Sequence, residues 1–159
     1  MRTFPGHSGP MADWPRVEAV KNAPMVLAAL HETWMLALAT NANESNEEQI
    51  WKALRRVSLD KYLDKVYCFR KIGHKKPSPA FFAYVLDDLT LDASRVIMVG
   101  DDFATDVDGA VRCGIRAIWF NENSLEERRA ETYLTVHDLR SLPEVLRTFD
   151  NCHALPTAP

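Results

Sequence analysis

The sequence predicts an α/β fold, namely a three-layer, Rossmann-like parallel sheet with helices on both faces. Strand-like and helix-like segments alternate along the chain, and short polar loops join them. The strand-like segments are apolar without polar alternation, which is typical of strands covered on both faces. This alternation indicates βαβ units with right-handed crossovers.

Each element is placed by its apolar spacing and by its boundary residues. The expected strands are residues 34–39, 66–69, 96–99, 115–120 and, at an edge, 133–136. The first expected helix begins at Pro24, and the second spans about 46–57. The third begins at Ser78 and Pro79, and the fourth runs from Thr105 or Asp106 to Gly114. The last begins at Asp138 or Ser141. Two pairs have the spacing of capping boxes, Ser45 with Glu48 and Ser124 with Glu127.

The totals are those of one ordinary globular domain. The chain has 159 residues, of which 47% are hydrophobic and 26% charged, and its net charge is −3. This charge predicts no nucleic-acid partner, and no apolar run approaches the roughly 20 residues that span a bilayer. Three cysteines without CxxC spacing favour a reduced, cytoplasmic protein. We expect a disordered or extended lead-in over 1–19, a core domain over 20–150 and a tail over 151–159.

An acidic loop follows the apolar segment 96–99. Asp101 comes directly after the glycine that ends this strand, and Asp106 follows where the next helix begins. Clustered carboxylates at a sheet edge need a counter-charge, and hard oxygen ligands suit Mg²⁺. The sequence therefore predicts Asp101 and Asp106 as metal ligands. The alternative is a solvated loop whose aspartates only cap a helix.

Two other loops carry polar residues suited to binding a phosphoryl group. Thr40 and Asn41 end a buried strand, and their hydroxyl, amide and N–H groups are suited to an oxyanion. Lys76 precedes Pro77, which restricts the lysine backbone and fixes the direction of its side chain. Lysine binds phosphate as a point charge and neutralises carboxylates. The alternatives are that Thr40 and Asn41 cap the next helix and that Lys76 belongs to a solvated basic loop.

Together these segments resemble the haloacid dehalogenase-like (HAD) superfamily of phosphohydrolases. The matches are residues 36–42 for its second motif, 73–79 for its third and 99–110, of the form GDxxxxD, for its fourth, with residues 114–121 similar to the strand that follows. The resemblance covers about residues 20–147. It implies that Thr40 holds the phosphoryl group, Lys76 balances charge, Asp101 binds Mg²⁺ and Asp106 supports the metal shell.

One motif of that superfamily is missing. Its first motif, DxDx[TV], follows the central strand and supplies the aspartate nucleophile, and no equivalent precedes Thr40. Only 39 residues precede Thr40, too few for this strand together with a cap domain. We therefore expect an incomplete fold without the usual first central strand. Either the strands on its two sides pair directly, or another segment or chain fills the gap.

Three functions follow as hypotheses. The first is a Mg²⁺-dependent phosphatase that acts on a small phosphorylated substrate through an aspartyl-phosphate and is inactive as this isolated chain. The second is a degenerate, non-catalytic domain that binds Mg²⁺, a phosphoryl ligand or a protein partner. The third, a receiver-type signalling domain, is disfavoured because its acids come early and its Lys-Pro comes last. The missing sheet coverage also favours self-association, so a homo-oligomer is possible.

Overall fold

The computed structural model describes residues 8–151, in which the strands form two parallel sheets. In the first sheet, β1 (Ala37–Thr40) pairs with β2 (Lys65–Cys68). In the second, the order is β3 (Ile97–Gly100), β4 (Arg116–Phe120) and β5 (Tyr133–Val136). The pairings within both sheets are parallel, as the sequence predicts.

Helices lie between consecutive strands as far as β4, whereas a loop without a helix joins β4 to β5. The helices are α1 (Ala23–His31), α2 (Glu47–Arg56), α3 (Phe69–Ile72), α4 (Pro79–Leu89), α5 (Gly109–Val111) and α6 (Leu142–Asn151). A π-helical segment, Phe103–Asp108, leads directly into α5. Among the described residues, no helix is both long and apolar enough to cross a membrane.

Helices cover both faces of the strands, which confirms the predicted three layers. On one face, α4 and α5 pack on β2 and β4 through a core that includes Phe81, Tyr67 and Trp119. On the other face, α1 and α6 pack on β4 and β5, and α2 packs on β2. Adjacent residues of α1 join the two cores of this face, because Val26 belongs to one and Leu27 contacts the other.

A gap separates the two sheets between β1 and β3. The Cα atoms of these strands lie mostly more than 8 Å apart, whereas paired strands are about 4.8 Å apart. Of the two alternatives for this place in the sheet, direct pairing of β1 with β3 is therefore wrong, and no strand of the described chain lies between them. The two sheets are joined instead through a shared core beneath α4 and α5, which contains Tyr67 of β2 and Trp119 of β4. The expected incomplete sheet, without its usual central strand, is what the structure shows.

Helix capping differs from the expectation at three places. Asn46 rather than Ser45 caps α2, because its side chain accepts from the N–H of Gln49 in a reciprocal capping box. Ser124 and Glu127 begin no helix, since the Ser124 hydroxyl instead bonds to Asn121 and to the N–H of Glu126. Ser78 precedes α4 as predicted, but its side chain makes no capping hydrogen bond.

Part of the segment expected as a lead-in packs on α2. Residues Met11–Asp13 form a 3₁₀ turn, and Ala12 within it is buried. The guanidinium of Arg56 donates to the carbonyls of Ala12 and Trp14. The remainder of the expected lead-in before residue 8, and the tail after residue 151, lie outside the described residues.

Candidate functional site

Three loops meet at the carboxyl ends of β1 and β3. The loop after β1 carries Thr40 and Asn41, the loop before α4 carries Lys76, and the loop after β3 carries Asp101 and Asp106. Parallel strands direct their carboxyl ends to one edge, where open α/β sheets bind ligands. Three of these five residues, Asn41, Lys76 and Asp106, are linked by hydrogen bonds, whereas the side chains of Thr40 and Asp101 are not bonded to them.

The centre of the cluster is a buried ion pair. The Nζ of Lys76 lies 2.6 Å from Oδ1 of Asp106, and both side chains are more than 90% buried, at 7% and 6% exposure. The same ammonium donates to the carbonyl of Ala39 in β1 at 2.8 Å. Buried charges are costly without such partners. Lys76 therefore joins the end of β1 to the segment after β3, and it does not belong to a solvated basic loop.

Asn41 holds the backbone of Lys76. Its Nδ2 donates to the Lys76 carbonyl at 2.9 Å, and its Oδ1 accepts from the Lys76 N–H at 2.8 Å. An amide that satisfies both groups of one residue fixes that residue's position and orientation. The structure thus gives Asn41 a positioning contact that differs from the direct phosphoryl contact predicted for it.

Thr40 is half-buried at the last position of β1. Its Oγ1 accepts from the N–H of Ala42 at 3.2 Å, as in a local hydroxyl turn. This bond uses one lone pair of the hydroxyl and leaves its proton available for an acceptor at the sheet edge. The geometry is compatible with the predicted phosphoryl contact, and it does not cap α2, whose cap is Asn46.

Small residues allow the acidic segment to approach its neighbours. A Cβ on Gly100 would lie 2.2 Å from Oδ2 of Asp106, so any side chain there would displace this carboxylate. A Cβ on Gly109 would lie 2.7 Å from Cβ of Pro77. The glycine after β3 therefore makes room for Asp106, and the glycine that begins α5 makes room for the residue after Lys76.

The remaining acidic residues of the loop have different environments. Asp102 caps the π-helical segment by accepting from the N–H of Thr105, and Asp108 pairs with Arg112. Asp101 is exposed at the end of β3, while its carbonyl accepts from Nε1 of Trp119 at 3.0 Å. Asp102 is therefore an exposed capping residue, and Asp108 is a half-buried partner of Arg112.

The two predicted metal ligands are not equivalent. The carboxylate of Asp106 is occupied by Lys76 and by the N–H of Asp102, at 3.3 Å, whereas Asp101 is exposed to solvent. Within residues 8–151, no three acidic, histidine or cysteine side chains come together as a metal site. Mg²⁺ commonly uses only one or two carboxylates and keeps several waters. The carboxylates present therefore fit a Mg²⁺ ion that would be bound by Asp101, with Asp106 in an indirect, supporting position.

Two contacts of the site have weak or no sequence signals. Trp119 lies 18 positions from Asp101, and nothing in the spacing indicates that its indole holds the Asp101 carbonyl. Arg128 stacks on Phe103 with its Cζ 4.2 Å from the ring centroid, from a loop expected to be helical. The role of Gly100 has a signal, because a glycine directly before an aspartate at a strand end favours close approach.

Comparison with known proteins identifies the fold and its family. The sequence matches the haloacid dehalogenase-like hydrolase family over residues 7–120. The chain belongs to this family. It is 31% identical over 102 residues to the glyceraldehyde 3-phosphate phosphatase of Pyrococcus abyssi, covering 64% of this chain and 42% of that protein. Human N-acylneuraminate-9-phosphatase is 25% identical over 128 residues, covering 79% of this chain and 50% of that protein.

The solved structures agree with this assignment. A protein from Listeria monocytogenes serotype 4b superimposes with a TM-score of 0.79 and 29% identity, covering 89% of this chain and 86% of that one. The HAD chain spans about half the length of the curated phosphatases it matches. The fold is thus an incomplete HAD-like domain, and its relatives are HAD phosphatases.

Proposed function

We propose that this chain is the part of a Mg²⁺-dependent HAD phosphatase that holds the phosphoryl group and the metal. The buried Lys76–Asp106 pair at the carboxyl edge of the strands carries the proposal. In the complete reaction, an aspartate carboxylate attacks the phosphorus of a phosphomonoester and breaks its bond to the alcohol oxygen, and the alcohol leaves after taking up a proton. Water then hydrolyses the aspartyl-phosphate, which releases inorganic phosphate and restores the carboxylate. This nucleophile lies outside these 159 residues, and the isolated chain is inactive.

Each residue of the cluster has its own proposed role in binding. Thr40 donates its hydroxyl proton to a phosphoryl oxygen, together with backbone N–H groups that follow β1. Lys76 supplies the positive charge that the phosphoryl group and the attacking carboxylate require. Asn41 holds Lys76 through its backbone, and Asp106 keeps the ammonium at the edge of the sheet.

The metal is proposed to bind at Asp101. This carboxylate is exposed at the end of β3, and Asp106 supports the site indirectly. When bound, Mg²⁺ supplies charge neutralisation and Lewis-acid polarisation of the phosphoryl oxygens. The excess of aspartates over lysines in the cluster favours a cation at this edge.

The substrate class follows from the relatives. The matched phosphatases act on glyceraldehyde 3-phosphate and on an N-acylneuraminate 9-phosphate, according to their names. We propose a small phosphorylated substrate for the complete protein. A cytoplasmic location belongs to the same proposal, and the free thiols of Cys68 and Cys113 support it.

A second candidate is a non-catalytic domain that binds Mg²⁺ or a phosphoryl ligand. The observation in its favour is the gap between β1 and β3, where the family's nucleophile strand is missing from the described chain. The two candidates agree on ligand binding and differ only in whether a complete protein turns substrate over.

The binding sites can be tested separately from turnover. Backbone amide spectra of the chain are followed by NMR during titration with MgCl₂ and, separately, with inorganic phosphate. We expect Mg²⁺ to shift amides around Asp101, and phosphate to shift those of Thr40, Asn41 and Lys76.

Matched variants assign these responses. Asp101→Asn should abolish the Mg²⁺ response, while Asp87→Asn, a neutralised exposed acid on α4, should leave it unchanged. Lys76→Met should abolish the phosphate response, provided that its spectrum remains dispersed. A Mg²⁺ response that survives Asp101→Asn, or phosphate shifts remote from β1, would contradict the proposed site.

A further inference from the structure

Asp101 is exposed to solvent, yet its backbone is fixed by a buried side chain. The indole Nε1 of Trp119 donates to the Asp101 carbonyl at 3.0 Å. Trp119 is 8% exposed and lies in β4, where it is the register partner of Gly100, the residue before Asp101. A hydrogen bond from the core restricts the peptide unit that follows Asp101, and it therefore limits the orientations open to this residue.

A cluster of three aromatic rings surrounds this hydrogen bond. The ring of Phe103 meets that of Trp119 edge to face, with centroids 5.3 Å apart, and it meets Tyr133 of β5 in the same way at 5.4 Å. Such contacts are favourable beyond the area that they bury. Because Phe103 comes two residues after Asp101, the loop after β3 is held at two points, the Asp101 carbonyl and the Phe103 ring.

The guanidinium of Arg128 lies on the same aromatic cluster. Its Cζ is 4.2 Å from the ring centroid of Phe103 and 5.1 Å from that of Trp119. Both distances are within the range of a cation–π contact. Glu126 pairs with this guanidinium at 2.6 Å, which further restricts its orientation. Arg128 therefore joins the loop between β4 and β5 to the rings that hold Asp101.

Hydrogen bonds from flanking residues hold the loop that carries Arg128. Residues 122–132 are exposed throughout, so this segment buries no apolar face of its own. The hydroxyl of Thr135 in β5 accepts from the N–H of Arg128 at 2.8 Å and donates to its carbonyl at 2.9 Å. The side-chain amide of Asn121, which is buried, donates to the carbonyl of Glu126 at 3.0 Å. These bonds fix the backbone from which the Arg128 side chain reaches the aromatic cluster.

We propose that Arg128 and Trp119 are positioning residues for the metal ligand Asp101. Arg128 holds the rings of Phe103 and Trp119 together, and Trp119 holds the Asp101 carbonyl, which limits the orientations of the carboxylate before a metal binds. Both residues act through Asp101 and are not metal ligands. A ligand oriented in advance binds more tightly, because less freedom is lost on binding. The inference rests on the proposed Mg²⁺ site at Asp101.

The charge of Arg128 makes the expected direction of the effect distinctive. A guanidinium close to a cation site repels the cation, so removal of its charge alone should strengthen Mg²⁺ binding. Loss of a positioning contact should instead weaken it. Arg128→Gln removes both the charge and the cation–π contact, and Arg129→Gln makes the same change of charge at the adjacent exposed residue. The two variants therefore separate positioning from charge.

The first test measures Mg²⁺ affinity of the 159-residue chain by NMR titration with MgCl₂, followed at amides around Asp101. We expect Arg128→Gln to weaken binding at least about threefold, as for an exposed cation–π contact. Arg128→Lys should recover part of this loss, because an ammonium also binds aromatic faces. Arg129→Gln should leave the affinity equal or slightly higher. Trp119→Phe, which keeps a ring but lacks the N–H, should weaken binding by about three- to tenfold.

A second readout needs no metal. Hydrogen exchange of the Trp119 indole N–H reports how often its bond to Asp101 opens. We expect Arg128→Gln to accelerate this exchange at least about threefold, since Arg128 holds the ring in place. The indole of Trp14, which donates to the Gly9 carbonyl at 3.0 Å, is an internal control whose exchange should not change.

The outcomes separate this inference from the proposed function. A Mg²⁺ response that Arg128→Gln and Trp119→Phe leave unchanged or strengthen would overturn the positioning role and leave the metal site standing. Equal effects of Arg128→Gln and Arg129→Gln would reduce the role to charge and would overturn it too. Faster exchange at Trp119 without weaker Mg²⁺ binding would show a purely structural contact. No Mg²⁺ response around Asp101 in the unaltered chain would overturn the metal site itself, and this inference with it.

Discussion

The side-chain amide of Asn41 forms hydrogen bonds with both the N–H and the carbonyl of Lys76, at 2.8 Å and 2.9 Å. This relationship joins the loop after β1 to the loop before α4 across 35 positions of sequence. It explains how a lysine in an irregular loop reaches a defined position at the sheet edge.

Removal of the Asn41 amide should destabilise the fold. Asn41→Ala leaves a part-buried N–H and carbonyl without their partner, at a cost of about 1–3 kcal/mol. Urea unfolding measures this change in the free energy of unfolding. Asn43→Ala, two positions along the same loop and exposed, is the control and should change it by less than about 0.5 kcal/mol. Equal stability of the two variants would show that the contact does not hold Lys76.

Removal of one partner of the buried Lys76–Asp106 pair should strongly lower the free energy of unfolding. Lys76→Met leaves Asp106 buried without its cation, so we expect a loss of about 3–5 kcal/mol in the free energy of unfolding. In the double variant Lys76→Met with Asp106→Leu, no buried charge is left unpaired, and much of the loss should be recovered. Lys52→Met, which breaks the exposed pair with Asp13, should cost less than about 1 kcal/mol. A strictly additive double variant would contradict this account.

Gly100 should be intolerant of even a methyl group. In Gly100→Ala the new Cβ would lie 2.2 Å from Oδ2 of Asp106, and the resulting displacement should cost about 1–3 kcal/mol. Thermal unfolding measures the effect. Combining it with Asp106→Ala removes the clashing carboxylate, so the two changes together should cost less than their sum. A full additive cost would mean that Gly100 matters for another reason.

Asp138 should make the stability of the contact between the start of α1 and the segment before α6 depend on pH. Hydrogen bonds from Arg140 hold the pKa of Asp138 down at about 2, below its usual 3.8, and Asn22 of the α1 boundary also donates to it. A lowered pKa means that the stabilisation is fully present above pH 3.8 and is lost as the pH falls toward 2. NMR titration of the carboxyl carbon checks the value. Arg140→Gln should raise the pKa, and an unchanged titration would contradict the assigned cause.

Much of the fold is local and therefore predictable. The apolar runs that became β2 to β5 and the amphipathic α2 are specified by periodicity within a few residues. Boundaries shifted because long-range contacts decide them. The first strand begins at Ala37 rather than Trp34, since the Asp64 side chain and N–H bond to Leu36 at the entrance of β1.

The candidate residues could be chosen from the sequence, but their contacts could not. Thr40, Lys76 and Asp101 are candidates because they stand at strand ends or before a proline. The pairing of Asp106 with Lys76 rather than with solvent depends on a contact 30 positions apart, and no local pattern specifies it. The relative position of the two sheets likewise depends on long-range contacts, because Tyr67 of β2 and Trp119 of β4 enter one core. A loop such as 124–127 can have capping-box spacing and still not form a helix, because it lacks an apolar face to bury.

The most direct test of the central claim is Mg²⁺-dependent release of phosphate from a generic phosphomonoester by the 159-residue chain. The Asp101→Asn variant is measured beside it. We expect no release above background from either protein, because the proposed phosphoryl and metal sites would lack the nucleophile that turnover requires. Turnover by the unaltered chain that disappears in Asp101→Asn would show that a nucleophile lies within these residues, and would contradict the account.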